Sequence, residues 1–313
     1  MKHTRKPTIL LLLLVLLNLS LSGCVREEPQ PTEQEKTYQY VPLREELPFG
    51  VWWWRYEEEM EKHYLEFVVA QGITEIYFGA AFLKSYWCDD VVRNFIAAAR
   101  GYGIAVYYLT GDWSWIHDDT GLIARLEAFH AYQESACEMT RFAGVHLNIE
   151  PHQDPNWNTD TRNELLQSYV DLKVRITDRF GRMDWTVPFW YREEIFDLIT
   201  HRDGEEYVYR AVLLEANRVF VMSYRNTAQA TYEIATHYIA FAREIGRPIF
   251  LSALVDPGSE CSEHNHVFFY DLGHTYMMRE LAQLREIVDH PALGIAVHEI
   301  RGWYRMWTRE SVR

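Results

Sequence analysis

Eight short apolar runs recur between residues 49 and 300, and each is rich in the β-branched and aromatic residues that strands prefer. They cover residues 49–54, 73–79, 104–111, 144–150, 183–190, 218–224, 247–254 and 293–300. The segments between them repeat their apolar residues at spacings of three and four, which predicts helices at 58–71, 91–102, 161–180 and 231–246, among others. Strand and helix therefore alternate along the chain.

This alternation predicts an α/β fold in which helices cover a parallel sheet. Eight units within about 260 residues fit a single (β/α)8 or TIM barrel. A doubly wound open sheet is the alternative, but no Gly-x-Gly-x-x-Gly follows the first strand, so a dinucleotide site has no support. No cofactor is predicted. Because the chain ends soon after Trp307, we expect the eighth helix to be short or absent.

The first 23 residues predict a signal peptide, with a basic start, an apolar stretch and small residues before Cys24. A membrane-spanning helix is the alternative, but the apolar stretch is shorter than the roughly 20 residues that spanning requires. The sequence Leu21-Ser22-Gly23-Cys24 resembles the lipobox of bacterial lipoproteins. This resemblance implies that Cys24 is lipidated and becomes the first residue of the mature chain.

Residues 24–46 are polar and lack a periodic apolar face, which predicts a flexible tether before a barrel domain at 47–313. Removing residues 1–23 deletes Lys2, Arg5 and Lys6 and no acid, so the formal charge moves from -14 to -17. Such a charge repels nucleic acid, which is therefore excluded as a partner. We expect the protein to be held by its lipid in the bacterial cell envelope, outside the cytoplasm.

The fourth strand carries the first candidate for catalysis. Barrel active sites lie at the C-terminal ends of the strands, and strand faces that pack on helices are apolar. Alternation then directs Val145, Leu147 and Ile149 outward, and Asn148 and Glu150 inward, with Glu150 at the mouth. Glu150 is therefore the leading candidate for a catalytic residue.

Other strand ends offer further polar residues by the same argument. In the third strand Thr110 and Asp112 share the predicted inward face, opposite Tyr107 and Leu109. In the seventh, Ser252 and Asp256 share a face opposite Leu251, Ala253 and Val255. Asp256 is the first choice for a second catalytic carboxylate, followed by Asp112 and Glu299.

The sixth and eighth strands add candidates for substrate binding. The sixth ends with Tyr224, and Asn226 lies just beyond it. In the eighth, His298 is the better inward candidate, because Glu299 shares a face with Ile295 and Val297. Glu299 points inward only if a bulge interrupts the strand.

Aromatic residues make up 15% of the chain, which has 11 tryptophans, several of them at predicted strand ends. The candidates for substrate binding are Trp53, Trp54, Trp113, Trp190 and Trp303. Sugar rings present apolar faces that stack on flat aromatic surfaces, so an acidic mouth lined by indoles suits a carbohydrate. Core packing and a protein-binding surface are the alternatives.

The barrel with a glutamate and a proline ending the fourth strand resembles the glycoside hydrolase barrels. The run Phe-Ala-Gly-Val-His-Leu-Asn-Ile-Glu-Pro is similar to the Asn-x-Glu strand of family 85 endo-β-N-acetylglucosaminidases, and more loosely to the Asp-x-Asp-x-Glu strand of family 18 chitinases. The resemblance implies that Glu150 protonates the leaving oxygen while Asn148 holds the substrate's acetamido group, which acts as the nucleophile. Met222-Ser223-Tyr224 is similar to the chitinase Met-x-Tyr, whose tyrosine contacts the same group.

The sequence therefore predicts an exported, lipid-anchored glycoside hydrolase-like protein that acts on a poly- or oligosaccharide. Ala143, His146 and Asn148 replace the chitinase aspartates, so a barrel that binds carbohydrate without cleaving it is the second hypothesis. A metal-dependent hydrolase is the third, suggested by His264 and His266, with His152 and His298 at other strand ends. These histidines form no compact ligand set, so we expect no metal.

Overall fold

The computed structural model describes residues 47–79, 90–192, 196–256 and 266–311, all of which belong to the unit Thr37–Arg313. The predicted signal peptide, Cys24 and the tether lie outside the described residues. The boundaries proposed for them therefore stay predictions, whereas the barrel can be followed from Leu47 onward.

Eight parallel strands close into a barrel, in the order β1-β10-β9-β8-β5-β4-β3-β2. The described strands are β1 (Phe49–Trp53), β2 (Glu75–Phe78), β3 (Ala105–Thr110), β4 (Gly144–Leu147), β5 (Asp184–Pro188), β6 (Ile199–His201), β7 (Gly204–Glu206), β8 (Val219–Met222), β9 (Ile249–Leu254) and β10 (Leu293–His298). Each barrel strand lies within one of the eight predicted runs, so the predicted TIM barrel is confirmed. The antiparallel hairpin of β6 and β7 was not predicted.

Helices alternate with the barrel strands. They are α1 (Glu61–Ala70), α2 (Asp90–Gly101), α3 (Thr120–Ser135), α4 (Arg162–Phe180), α5 (Val208–Glu215), α6 (Ala228–Glu244), α7 (His274–Ile287) and α8 (Ile300–Ser311). The expectation of a short or absent eighth helix was wrong, because α8 has 12 residues. Ile300, Trp303 and Met306 recur every three residues and form its buried face.

Aromatic rings fill the interior of the barrel. The inward cluster consists of Trp52, Tyr77, Leu109, Phe220, Phe250 and Ala296. Glycines make room for these rings: a Cβ on Gly50 would lie 2.4 Å from the Tyr77 hydroxyl oxygen, and one on Gly294 would lie 2.3 Å from the Phe250 ring. The interior of the barrel is therefore a packed core and not a ligand cavity.

The side-chain faces agree with the prediction in β4 and β9 and contradict it in β3. Val145, Leu147 and Ile149 lie in the outer core between strands and helices, as predicted, and so do Leu251, Ala253 and Val255. In β3, Leu109 belongs to the inward cluster and Tyr107 packs against it, so Thr110 is on the outward face. The prediction failed because both faces of β3 are apolar, and polarity cannot distinguish them.

A buried ion-pair network closes the N-terminal end of the barrel. Arg218, just before β8, donates to both carboxylate oxygens of Glu75 at 2.8 and 2.9 Å. It also donates to Asp184 Oδ2 through Nε at 2.9 Å and Nη2 at 2.6 Å. The guanidinium carbon lies 4.3 Å from the centroid of the Tyr107 ring. Both carboxylates therefore depend on one cation.

We expect Arg218→Met to lower the free energy of unfolding by about 3–5 kcal/mol, because it leaves two buried carboxylates without their cation. Chemical denaturation followed by circular dichroism measures this. Arg243→Met is the matched control, since Arg243 pairs with Asp289, whose side chain is 95% exposed, and its loss should cost less than about 1 kcal/mol. Equal effects of the two substitutions would contradict a structural role for the network.

Candidate active site

Glu150 lies at the C-terminal end of the barrel, where β4 passes into a single 3-10 turn at Pro151–Gln153. The strand-like pairing continues beyond β4, because the Asn148 N–H donates to the Thr110 carbonyl at 3.0 Å. Gly111 permits this approach: a Cβ there would lie 1.8 Å from the Asn148 carbonyl oxygen. The ends of β3 and β4 are thus held close together below Glu150.

Hydrogen-bond donors surround the Glu150 carboxylate. Asn148 Nδ2 donates to Oε1 at 2.9 Å, and Gln153 Nε2 donates to Oε2 at 2.9 Å. His152 Nε2 lies 3.2 Å from the same Oε2. The side chain is 16% exposed, so it is largely enclosed and yet reaches solvent.

These donors set the charge of Glu150. Burial by itself raises the pKa of the carboxyl, but the hydrogen bond and charge of His152 and the bonds from Asn148 and Gln153 outweigh it. The pKa of Glu150 is consequently lower than its ordinary value. In the free protein the group is a carboxylate at neutral pH.

Aromatic rings hold His152 against Glu150. Its Nδ1 lies 3.2 Å from the Tyr191 hydroxyl, and its ring centroid is 5.1 Å from that of Trp190. Sequence reasoning considered His152 only as a metal ligand and did not include Gln153. The available signal was the position of Gln153 three residues after Glu150, which brings the two side chains together in one helical turn.

A neutral imidazole stands at the end of β10. The Trp54 indole N–H donates to His298 Nε2 at 3.0 Å, which places the imidazole proton on Nδ1. Burial lowers the pKa of His298 to about 4, so the ring is uncharged at neutral pH. Among the described residues, the buried Nδ1 has no hydrogen-bond partner.

Tyr224, two residues beyond the end of β8, packs near His298. Its ring centroid lies 6.2 Å from that of His298. Burial, followed by the charge of Glu150, raises the pKa of its hydroxyl. The hydroxyl therefore remains protonated and can act as a hydrogen-bond donor.

Two adjoining clefts open at this end of the barrel. The first, called here the Glu150 cleft, has a volume of about 490 Å³ and is lined by Trp54, Gly111, Asp112, Trp113, Asn148, Glu150, Gln153 and His298. The second, called here the arginine cleft, has a volume of about 470 Å³ and is lined by Trp54, Arg55, Asp256, His298, Glu299, Arg301, Gly302 and Arg305. Trp54 and His298 belong to both clefts, and both volumes fall in the roughly 300–1,000 Å³ range of small-ligand sites.

The other predicted carboxylates do not touch Glu150. Asp112 lines the Glu150 cleft, but its Oδ1 accepts the Ser114 N–H at 2.9 Å and the Ser114 hydroxyl at 2.7 Å. Asp256 lines the arginine cleft instead. Glu299 lines it too, and its carboxylate accepts the Gly302 N–H at 3.3 Å, which caps the start of α8.

Two predicted substrate contacts were wrong. Trp53 is fully buried against α1 and α2, with its ring centroid 5.2 Å from Tyr64 and 5.0 Å from Phe95. Alternation explains this, because in a regular β1 only one of two neighbouring tryptophans faces inward. Trp303 is fully buried on α8, where its indole N–H donates to His274 Nδ1 at 3.0 Å.

Asn226 and Trp190 line neither of the two clefts. The Asn226 side-chain amide donates to the Phe268 carbonyl at 3.3 Å, which ties β8 to the segment after β9. Trp190 packs beside His152, whose Nε2 in turn contacts the Glu150 carboxylate. Of the predicted tryptophans, Trp54 and Trp113 line the Glu150 cleft.

The metal hypothesis gains no support from the described residues, which contain no group of three or more His, Cys, Asp or Glu side chains arranged to hold an ion. His264 lies outside them. Likewise, no helix in the described ranges combines the length and apolarity needed to cross a bilayer.

No family model and no curated protein matches this sequence. Among solved structures, a chitinase from Bacteroides thetaiotaomicron is 11% identical, covers 84% of this chain and 96% of its own, and has a TM-score of 0.49. A GH18 chitinase from Flavobacterium johnsoniae is 13% identical, with coverages of 84% and 94% and a TM-score of 0.45. A chitinase from Ipomoea carnea is 12% identical, with coverages of 82% and 96% and a TM-score of 0.44.

Removing the donors around Glu150 should raise its pKa. We expect His152→Phe and Gln153→Met each to do so, because each deletes a group that stabilises the carboxylate. The measurement is a pH titration of the Glu150 side-chain carboxyl by ¹³C NMR, with the signal assigned by its absence from Glu150→Gln. Gln229→Met makes the same chemical change as Gln153→Met, but at an exposed position of α6 away from the site, and should leave the pKa of Glu150 unaltered. A Glu150 pKa that is unchanged in both His152→Phe and Gln153→Met would refute this electrostatic account.

Proposed function

We propose that this protein hydrolyses glycosidic bonds of an acetamido-sugar glycan, with Glu150 as the general acid and base. The observation that carries the proposal is the different bonding of the two ends of the Asn148 side-chain amide, which lies beside Glu150. Its Nδ2 donates to the Glu150 carboxylate, while its Oδ1, among the described residues, has no hydrogen-bond partner. A carboxylate only accepts, so the nearer amide atom must be the nitrogen.

An unmatched amide oxygen is complementary to an N–H donor. If the N–H of a substrate acetamido group donates to Asn148 Oδ1, the carbonyl oxygen of that acetamido group would point toward the anomeric carbon of the same sugar. Substrate assistance of this kind needs no second carboxylate. It is consistent with the finding that the described groups bonded to Glu150 are Asn148, His152 and Gln153.

The proposed reaction has two steps. In the first, protonated Glu150 gives its proton to the leaving oxygen, the glycosidic C–O bond breaks, and the acetamido oxygen bonds to the anomeric carbon. In the second, ionised Glu150 takes a proton from water, whose oxygen attacks that carbon and releases the acetamido oxygen. Tyr224 would hold the acetamido group by hydrogen bonding, and Trp54 and Trp113 would stack on sugar faces.

A mechanism with two carboxylates is the alternative, with Asp256 as the second group. Asp256 and Glu150 line different clefts, so Asp256 would have to act across the wall formed by Trp54 and His298.

Chitopentaose and its fully de-N-acetylated counterpart distinguish the two mechanisms. Substrate assistance predicts cleavage of the acetylated sugar only.

Glu150→Gln should lower kcat for a cleaved oligosaccharide by about 10²–10⁴-fold, the usual contribution of a general acid or base. Binding should change little, because the amide keeps the shape of the carboxyl group. Turnover is measured by mass spectrometry of the products and binding by calorimetry. Gln229→Glu is a surface control and should act like the wild type. Unchanged turnover in Glu150→Gln would eliminate Glu150 as the catalytic group.

A non-catalytic carbohydrate-binding barrel is the second candidate. The lowered pKa of Glu150 favours it, because a carboxylate that is ionised in the free protein can accept sugar hydroxyls without donating a proton. Binding across a glycan panel with no Glu150-dependent cleavage would establish this function instead.

Export and lipid anchoring are proposed on the sequence pattern that ends at Cys24. We expect Cys24→Ser to abolish lipid attachment and to leave the chain in an unprocessed form. Metabolic labelling with a palmitate analogue measures lipid attachment, and the mass of the chain measures whether residues 1–23 have been removed. Ser22→Ala keeps the small residue and the cysteine, so it should still be labelled. Labelling of Cys24→Ser would disprove the assignment.

A further inference from the structure

Three arginines line the arginine cleft beside the Glu150 cleft. Arg55 follows β1, while Arg301 and Arg305 are four residues apart on α8, a spacing that puts them on the same face of the helix. Arg301 is shared between Glu299 and Glu57, with each contact at 3.4 Å. Arg55 and Arg305 are exposed and form no ion pair within the part of the chain that the structure describes.

The local charge of this cleft is opposite to that of the chain. The sequence has 45 acidic and 31 basic residues, so its surface as a whole repels anions. Among the residues that the structure describes, two acids line the cleft beside the three arginines, and the Glu299 carboxylate is already bonded to the Gly302 N–H and to Arg301. Within that described lining, Asp256 is then the acid left to oppose Arg55 and Arg305.

We propose that the arginine cleft binds an anionic substituent, a carboxylate or a sulfate, on the sugar next to the one held in the Glu150 cleft. This inference rests on the proposed function and defines its substrate class. Guanidinium groups bind both kinds of oxyanion through paired N–H donors. Asp256 accepts hydroxyl hydrogen bonds from the same sugar.

The wall shared by the Glu150 cleft and the arginine cleft shows how one oligosaccharide could occupy both. Trp54 and His298 line both clefts, so a chain of sugars leaving the Glu150 cleft across Trp54 enters the arginine cleft directly. His298 is neutral and adds no positive charge there, because burial lowers its pKa to about 4. Recognition of the anion therefore falls to the arginines.

The test compares three tetrasaccharides by calorimetry on Glu150→Gln: neutral chitotetraose, hyaluronan tetrasaccharide with carboxylates, and chondroitin 4-sulfate tetrasaccharide with carboxylates and sulfates. We expect at least one anionic probe to bind about tenfold more tightly than chitotetraose at low ionic strength, with the advantage falling as salt is added. Preference for hyaluronan identifies the carboxylate as the recognised group. Preference for the chondroitin probe alone identifies the sulfate.

Substitution of the arginines locates the effect. Adding Arg55→Gln and Arg305→Gln should weaken binding of the preferred anionic probe about tenfold and change chitotetraose binding less than about twofold. Arg141→Gln is the matched control, because Arg141 precedes β4 at the opposite end of the barrel and donates to the Ala136 carbonyl. It should leave all three affinities unchanged.

The outcomes separate this inference from the proposed function. Equal affinity for the three probes, or no binding of any, overturns the anion subsite. Cleavage of chitotetraose by the wild type without any anionic preference overturns the subsite alone. Anionic binding that depends on Arg55 and Arg305, with no Glu150-dependent cleavage of any probe, supports the subsite and removes the proposed hydrolysis.

Discussion

A closed barrel leaves each strand two faces, and in this protein both are already occupied along most of their length. The outward face packs on helices, and the inward face carries rings such as Trp52 and Phe220. On β4 the inward positions pass from His146, fully buried and kept neutral because burial lowers its pKa, through Asn148 to Glu150 at the rim. Chemistry is therefore confined to the last inward positions, above the packed rings.

The same constraint explains which predictions the sequence could support. The eight strands were predictable because their apolar runs are short and regularly separated. Glu150 was predictable because the outward residues of β4 are all apolar while its inward ones are polar. In β3 both faces are apolar, and in β1 three tryptophans follow one another. In neither strand does polarity distinguish the inward from the outward face, so the faces of Leu109 and Trp53 could not be deduced.

Other parts of the site depend on contacts that no local pattern encodes. Arg55 and Arg305 are 250 positions apart in sequence, and only closure of β1 beside β10 brings them to one cleft. The lowered pKa of Glu150 could not be predicted from a local pattern either, because it reflects the balance between burial and three donors with fixed geometry. Residue types predict that a carboxylate is present, whereas the surrounding atoms decide its charge.

That charge bears on the order of events in catalysis. Substrate-assisted cleavage uses Glu150 first as an acid and then as a base, and the donors around it favour the second form. A bound sugar removes water from the cleft, and loss of solvation favours the protonated form of a carboxyl group. The substrate itself would then prepare Glu150 for the first step, and His152, Asn148 and Gln153 would restore the carboxylate for the second. An ionised Glu150 in the free protein is thus compatible with an acid role once the cleft is filled.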